Sequence, residues 1–392
     1  MKKGWEYKRI KDIGYVVAGT TPNTNVAEYW DGNLCWISPA ELDGSHYLYD
    51  SKKKITEAAV KAKSLKLLPE GTVILSSRAP IGKVVINKIP TYCNQGFKCV
   101  ICGKDVYNEF LYWWFWGKKE YLNSLGTGAT FKEISKKVVE EITIPVPPLS
   151  EQQSIVDYLD SAFAKIDAMR ANAEKALNEA KALFQASLKE MLEPREGWEE
   201  KMLKDLGQTQ TGTTPSKSDK TNYGDYMEFI RPSEIDYDGN GGIDYNCEMK
   251  LSEQGTSKGR IFASNSIFMV CIGATIGKVG FSTKEVSCNQ QINVFTPNKE
   301  INYKFAYYAM KSPSFQHRVI KEGTSSQATL PIINKGKWEQ ISISFPEIKE
   351  QEFIAFHLDI LSSKVSDLKA NYEKISQECD ALKQAILRQV FE

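Results

Sequence analysis

Histidine is scarce in this sequence, with three in 392 residues and none paired, so a metal centre is not expected. Long apolar runs are missing too. The most apolar stretch, Phe110-Leu111-Tyr112-Trp113-Trp114-Phe115-Trp116, is far too short to span a bilayer. It and its weaker echo, Phe305-Ala306-Tyr307-Tyr308-Ala309-Met310, read as buried helices, and no membrane partner is expected. Met1-Lys2-Lys3 leads into patterned sequence rather than an apolar signal segment. The eight cysteines lie scattered without a disulfide framework, which points to a reducing cytoplasm. Cys99 and Cys102 have CxxC spacing but fall in a strand-like context. No cofactor is expected either. The stretch from Ser77 to Val84 is not a nucleotide-binding loop, because it has serine where glycine is needed and valine where a hydroxyl is needed. Net charge is only +1, so composition alone predicts no general attraction to a polyanion.

What the chain does contain is a duplication. Residues 4–22, GWEYKRIKDIGYVVAGTTP, return at 197–215 as GWEEKMLKDLGQTQTGTTP, identical at 11 of 19 positions. Trp36-Ile37-Ser38-Pro39-Ala40-Glu41-Leu42 returns as Phe229-Ile230-Arg231-Pro232-Ser233-Glu234-Ile235. Ile81-Gly82-Lys83-Val84 returns as Ile276-Gly277-Lys278-Val279, and Cys93-Asn94-Gln95 as Cys288-Asn289-Gln290. Two copies are too few for a solenoid and suggest pseudo-two-fold symmetry, as in a fused dimer.

Each copy divides into a globular part and a long helix. Short β-rich runs such as Thr72-Val73-Ile74-Leu75 and Ile267-Phe268-Met269-Val270 alternate with Gly, Pro and Asn punctuation, and short helices capped at Thr56 and Ser252 precede them. The class is α+β. The second copy ends in a heptad seam: Ile354, Leu358, Leu361, Val365, Leu368, Tyr372, Ile375, Cys379, Leu382 and Ile386. In the first copy the seam is Ile155, Leu159, Ala162, Ile166, Met169, Ala173, Leu177, Ala180, Phe184, Leu188 and Met191, whose extra four-residue steps predict local distortion. Each helix needs a partner, and the connectivity predicts that the two pair antiparallel, with Ile166 near Cys379. The expected organisation is a globular domain at 1–149, a spacer helix at 150–196, a second domain at 197–348 and a second helix at 349–392, forming a dumbbell. Residues 1–149 carry a charge of +6 and the second domain is neutral, so any phosphate contact there must use a local cluster.

The GWE…LG…GTTP openings, the IGKV and CNQ segments and the Pro-x-x-x-Glu-Gln approach to each long helix (Pro147 to Gln152, Pro346 to Gln351) run in the same order twice. In this the chain resembles the specificity subunits of type I restriction–modification enzymes, over essentially its whole length. The resemblance implies two target-recognition domains, each reading one half of a split, asymmetric site on double-stranded DNA. It further implies DNA methyltransferase subunits docked on the helical spacer and restriction subunits (translocase and nuclease) joining them. Catalysis would belong to those partners, so the chain is not expected to be an enzyme.

Candidate DNA contacts lie on equivalent loops. Arg78 and Lys83 follow a strand in the first copy, and Lys278 matches Lys83 in the second. Arginine can pair bidentately with guanine, and lysine suits phosphate. The bland alternative is that Gly82 and Gly277 make tight turns and the lysines are merely solvated. Thr127 and Lys132 in Gly126–Lys132, with Thr324 and Gln327 in Gly323–Thr329, form a second polar loop suited to phosphate or adenine, or else an ordinary surface turn. Arg231 is a further candidate. Asn94-Gln95 and Asn289-Gln290 read better as satisfying a buried loop, and Lys52-Lys53-Lys54 as a solvated cluster.

Two rival readings remain. A methyltransferase with its own reader would need an Asn/Asp-Pro-Pro-aromatic tetrad, and the one Pro-Pro, Pro147-Pro148, lies between Val146 and Leu149. A cytoplasmic or surface coiled-coil protein with repeated carbohydrate-binding domains would explain the duplication without DNA.

Overall fold

The computed structural model describes residues 4–78, 80–128, 132–235, 241–324 and 331–392. The chain forms two units. The first combines Met1–Arg170 with Ser376–Glu392, and the second is Ala171–Ile375.

In the first unit a five-stranded sheet has the order Gly14–Ala18, Phe97–Cys102, Val73–Ser76, Val84–Asn87, Tyr47–Leu48. All four residues of Val73–Ser76 are buried, as expected of a strand covered on both faces. The helix Asn108–Gly117 packs on this sheet and buries Phe110 through Phe115. A three-stranded sheet places Trp30–Ile37 between Lys53–Ile55 and Tyr92–Cys93, and Glu6–Arg9 pairs with Thr143–Val146. The second unit repeats this plan. Its main sheet runs Gly207–Thr211, Ile292–Pro297, Ile267–Val270, Val279–Phe281, beside the three-stranded Lys250–Leu251, Tyr223–Ile230, Ser287–Cys288. Even the parallel pairings recur, Trp36 with Tyr92 and Phe229 with Ser287. The two short helices begin where capping chemistry placed them: the Thr56 hydroxyl accepts from Ala59 N–H, and that of Ser252 from Gly255 N–H.

The duplicated motifs have mechanical reasons to recur. A Cβ on Gly19 would sit 1.9 Å from the Asn94 carbonyl oxygen, and one on Gly212 2.1 Å from that of Asn289. Only glycine lets the GTTP loop lie against the Cys-Asn-Gln loop. The buried Gln152 amide donates to the carbonyls of Asp105 (3.0 Å) and Pro147 (2.8 Å) and accepts from Tyr107 N–H (2.8 Å). Gln351 does the same with Glu300, Pro346 and Asn302 at 3.0, 2.9 and 2.8 Å. Each of these glutamines therefore clamps a long helix to its own domain through a buried, hydrogen-bonded amide.

The long helices are Leu149–Met191 and Ile348–Phe391. They pair antiparallel. In the first unit Cys379 Sγ lies 3.7 Å from the Ile166 carbonyl oxygen, Lys383 bridges to Asp167 at 2.5 Å, and Arg170 reaches Asp380 and the Ser376 carbonyl. In the second unit Phe184, Leu188, Ile354, Ala355 and Leu358 share one core, with Leu361 and Val365 packed against it.

The seam of the first helix corrects the sequence reading. Val156, Leu159, Phe163, Ile166, Leu177 and Phe184 are buried, whereas Ile155 is half-buried and Met169 is 59% exposed. Including the half-buried Arg170, Ala173 and Ala180, the steps alternate three and four from Val156 to Phe184, and of the extra four-residue steps expected only the last, from Phe184 to the buried Leu188, is found. On the second helix Leu382 is 47% exposed and Lys383 takes its place, with Leu368 half-buried. The long stems of Arg170 and Lys383 cover the seam while their charges reach partners: Lys383 lies over the Phe163 ring at 5.2 Å. Reading apolar letters alone placed most of the stripe but was one residue out at Ile155, Ala162, Met169 and Leu382.

The pairing has a direct check. Ile166→Cys should form an intramolecular disulfide with native Cys379 under mild oxidation, seen as a fast-migrating monomer on non-reducing gels. Failure to cross-link, or cross-linking only between chains, would contradict the antiparallel arrangement.

Candidate nucleic-acid interface

In the first unit the loops singled out by sequence come together at one corner; in the second, residues 325–330 of the matching polar loop lie outside the described residues. In the first, the strand Val73–Ser76 runs into a turn whose Ser76 hydroxyl donates to the Pro80 carbonyl (2.8 Å) and accepts from Lys83 N–H (2.9 Å). Gly82 closes the turn at φ +91°, and Gly277 does so at +89° in the second unit, a conformation that favours glycine. Arg78 forms an antiparallel bridge with Glu133, which in turn exchanges backbone hydrogen bonds with Thr127. Ile134 N–H bonds to the Ser77 carbonyl, and a Cβ on Gly126 would come within 2.8 Å of the Ile81 side chain. The Arg78 loop and the Gly126–Lys132 loop are thus neighbours, presenting Arg78, Thr127 and Lys132 to solvent. The second unit repeats the arrangement: Ile272 bridges Ile332, and a Cβ on Gly323 would come within 2.8 Å of Ile276.

The Cys-Asn-Gln segments lie close by. Asn94 accepts from Gly96 N–H and donates to the Thr21 hydroxyl, while Gln95 pairs with Thr21, and Gln290 with Thr214. Asn289 accepts from Gln291 N–H and donates to the Gln291 side chain. These amides fasten the loop.

The other candidates fall in varied surroundings. The ammonium of Lys83 donates to the Leu42 carbonyl at 2.7 Å and that of Lys278 to the Pro232 carbonyl at 3.3 Å, so each ties the turn to a much earlier segment of its unit rather than standing fully solvated. Arg231 is held by Glu234 at 2.6 Å and Glu248 at 3.2 Å. Thr324 ends the helix Pro313–Thr324, and Gln327 lies outside the described residues. In the lysine cluster, Lys53–Ile55 is a strand, Lys54 pairs with Asp50, and Lys53 lies over the Trp30 ring at 5.8 Å.

Sequence reasoning missed the group behind Arg78. Lys98 is a buried lysine in the strand Phe97–Cys102, donating to the Ser77 hydroxyl (3.0 Å), the Gln95 carbonyl (3.3 Å) and Glu133 (3.2 Å). The other oxygen of the Glu133 carboxylate accepts from Arg78 Nε at 2.9 Å. Burial opposes the charged form of Glu133, but the bonds from Arg78 and Lys98 outweigh it and hold the carboxyl below its usual range. The signal was a lone lysine between Phe97 and Cys99, because buried lysines are rare unless paired.

Among the described residues, no cluster of His, Cys, Asp or Glu is placed to hold a metal, and no helix is long and apolar enough to cross a membrane. A duplicated α+β module on paired helices, with the same backbone bridge at the matching corner of each unit, is the class these observations define. The profile of the type I restriction modification DNA specificity domain matches residues 2–179 and again 195–377, and the chain belongs to that family. It is 45% identical over 161 residues to the type I restriction enzyme MjaIX specificity subunit of Methanocaldococcus jannaschii, an alignment covering 40% of this chain and 37% of that relative. The fold matches the HsdS subunit from Thermoanaerobacter tengcongensis with a TM-score of 0.62 at 17% identity, over 100% of this chain and 97% of that one. A chain from a structure concerned with assembly and conformational transition of the type I R-M system matches with a TM-score of 0.79 at 18% identity, over 100% and 98%.

Proposed function

We propose that the chain is the non-catalytic DNA-recognition subunit of a type I restriction–modification system in the cytoplasm. Each unit reads one half of a split, asymmetric target on double-stranded DNA. DNA methyltransferase subunits dock on the paired helices, and translocase/nuclease subunits join for restriction. One observation carries this reading: the two units keep the same backbone bridge at the same corner but change its side chains, Arg78 with Glu133 in one and Ile272 with Ile332 in the other. A conserved frame with exchanged surface chemistry is what two different half-sites require. No specific observation favours the carbohydrate alternative.

The purified chain should transfer no methyl groups to duplex DNA in the presence of a methyl donor. Adding the methyltransferase subunits should produce sequence-specific binding, since the neutral second domain offers little phosphate affinity of its own. Methyl transfer by the isolated chain would refute the assignment.

A further inference from the structure

Arg78 is 46% exposed and its guanidinium is bound only through Nε; among the described residues its two terminal nitrogens have no partner. Those two nitrogens form the edge that pairs with guanine N7 and O6 in the major groove. Glu133 fixes the plane of that edge, because its own backbone is locked to Arg78 and Thr127. Behind it Lys98, with only 6% of its side chain exposed, holds the far oxygen of the carboxylate. Pairing the buried Lys98 is reason enough for Glu133, but the exposed Arg78 pair adds little to stability, so fold maintenance is a weak reason for the arginine. In the second unit every member is replaced. Ile272 and Ile332 occupy the bridge, and Asn293 occupies the place of Lys98, facing Thr211 and Met269 as Lys98 faces Ala18 and Leu75.

We propose that Arg78 reads a guanine in the first half-site, and that Glu133 and Lys98 are positioning residues that aim it and suppress its attraction to other DNA. The inference rests on the recognition function proposed above. Glu133 acts in two ways. It narrows the orientations of the guanidinium, which sharpens discrimination. Its negative charge also opposes nearby phosphates, so DNA that cannot engage Arg78 gains little from this corner. In the second unit the two bridge positions hold isoleucines, so the second half-site carries no guanine preference through that pair.

The test uses the chain assembled with its methyltransferase subunits and a library of randomised duplexes, followed by binding to one enriched and one unenriched duplex over a range of salt. The wild-type complex should enrich a split motif with a guanine in one half. Arg78→Ala should lose that position alone, by roughly tenfold or more in discrimination, and make the salt dependence shallower by about one unit of slope. Glu133→Gln should blur the same position, yet tighten binding to the unenriched duplex and steepen the slope by about one. The opposite signs separate aiming from mere structural support, which would change neither slope nor motif. Arg78→Ala lies at the exposed surface, so its thermal melt should match wild type; Glu133→Gln leaves the buried Lys98 facing a neutral amide and should lower the melting temperature, so binding is compared well below that transition. If the wild-type complex enriches a motif that both variants leave intact, or if both shift the slope the same way, the positioning role is wrong while recognition stands. If it enriches no motif at all, the recognition function fails, and this inference with it.

Discussion

Deleting residues 376–392 should unfold the first unit and spare the second. These residues belong to the second long helix, yet they complete the core of the N-terminal domain. Cys379, Leu387 and Phe391 are buried there. Leu387 packs over Gly117, where even a Cβ would meet it at 3.2 Å, and Phe391 meets Phe110 edge-on with ring centroids 5.4 Å apart. Losing a large buried apolar side chain typically costs about 2–5 kcal/mol, against a total stability of about 5–15 kcal/mol for a domain. Losing this set removes a decisive share. Six of the eight tryptophans lie in the first unit, so thermal melts followed by tryptophan fluorescence report mainly on it. That transition should fall steeply or vanish, while hydrogen exchange in Ile267–Val270 stays slow. An unchanged tryptophan transition would show that the helix end is dispensable.

The second large effect concerns specificity. A fragment of residues 1–196 lacks the segment just described, but it carries the homologous one. Matching Gln152 to Gln351 sets Ala180, Phe184, Leu188 and Leu192 in the places of Cys379, Lys383, Leu387 and Phe391. Two fragments can therefore exchange helix ends, each filling the other's core. The expected product is a dimer with two copies of the first reader. With the methyltransferase it should modify an inverted repeat of the first half-site and ignore the original target. Phe184 in place of Lys383 would leave Asp167 without its ion-pair partner, a modest loss for an exposed carboxylate. Light scattering and methylation of the two DNA designs give the answer. A stable monomeric fragment, or modification of the original target, would contradict the scheme.

The parts legible in the sequence were those written in local or repeated signals. The duplication gave two like domains, Thr56 and Ser252 marked helix starts, and the four-three spacing with the connectivity gave antiparallel helices. The phase of the seam was harder to see. Arg170 and Lys383 are charged letters whose stems pack like apolar ones, so Met169 and Leu382 took their places in a reading by residue type. The Arg78–Glu133–Lys98 group was invisible for another reason. Its members are separated by 20 to 55 positions and meet only once two sheet strands and a distant loop have assembled. No periodicity encodes that meeting. Likewise Lys83 looked solvated because its carbonyl partner, Leu42, lies 41 residues away.

Because the first unit is closed by Ser376–Glu392, the order of synthesis and the order of folding do not coincide. The ribosome must add about two hundred further residues after Arg170 before the N-terminal core can be sealed. At about 5–20 residues per second this is roughly 10–40 s, during which the apolar face meant for Leu387 and Phe391 stays open. The second unit ends at Ile375 and can be sealed first. The N-terminal half is made first and finished last, which makes the nascent chain a substrate for chaperones throughout that interval.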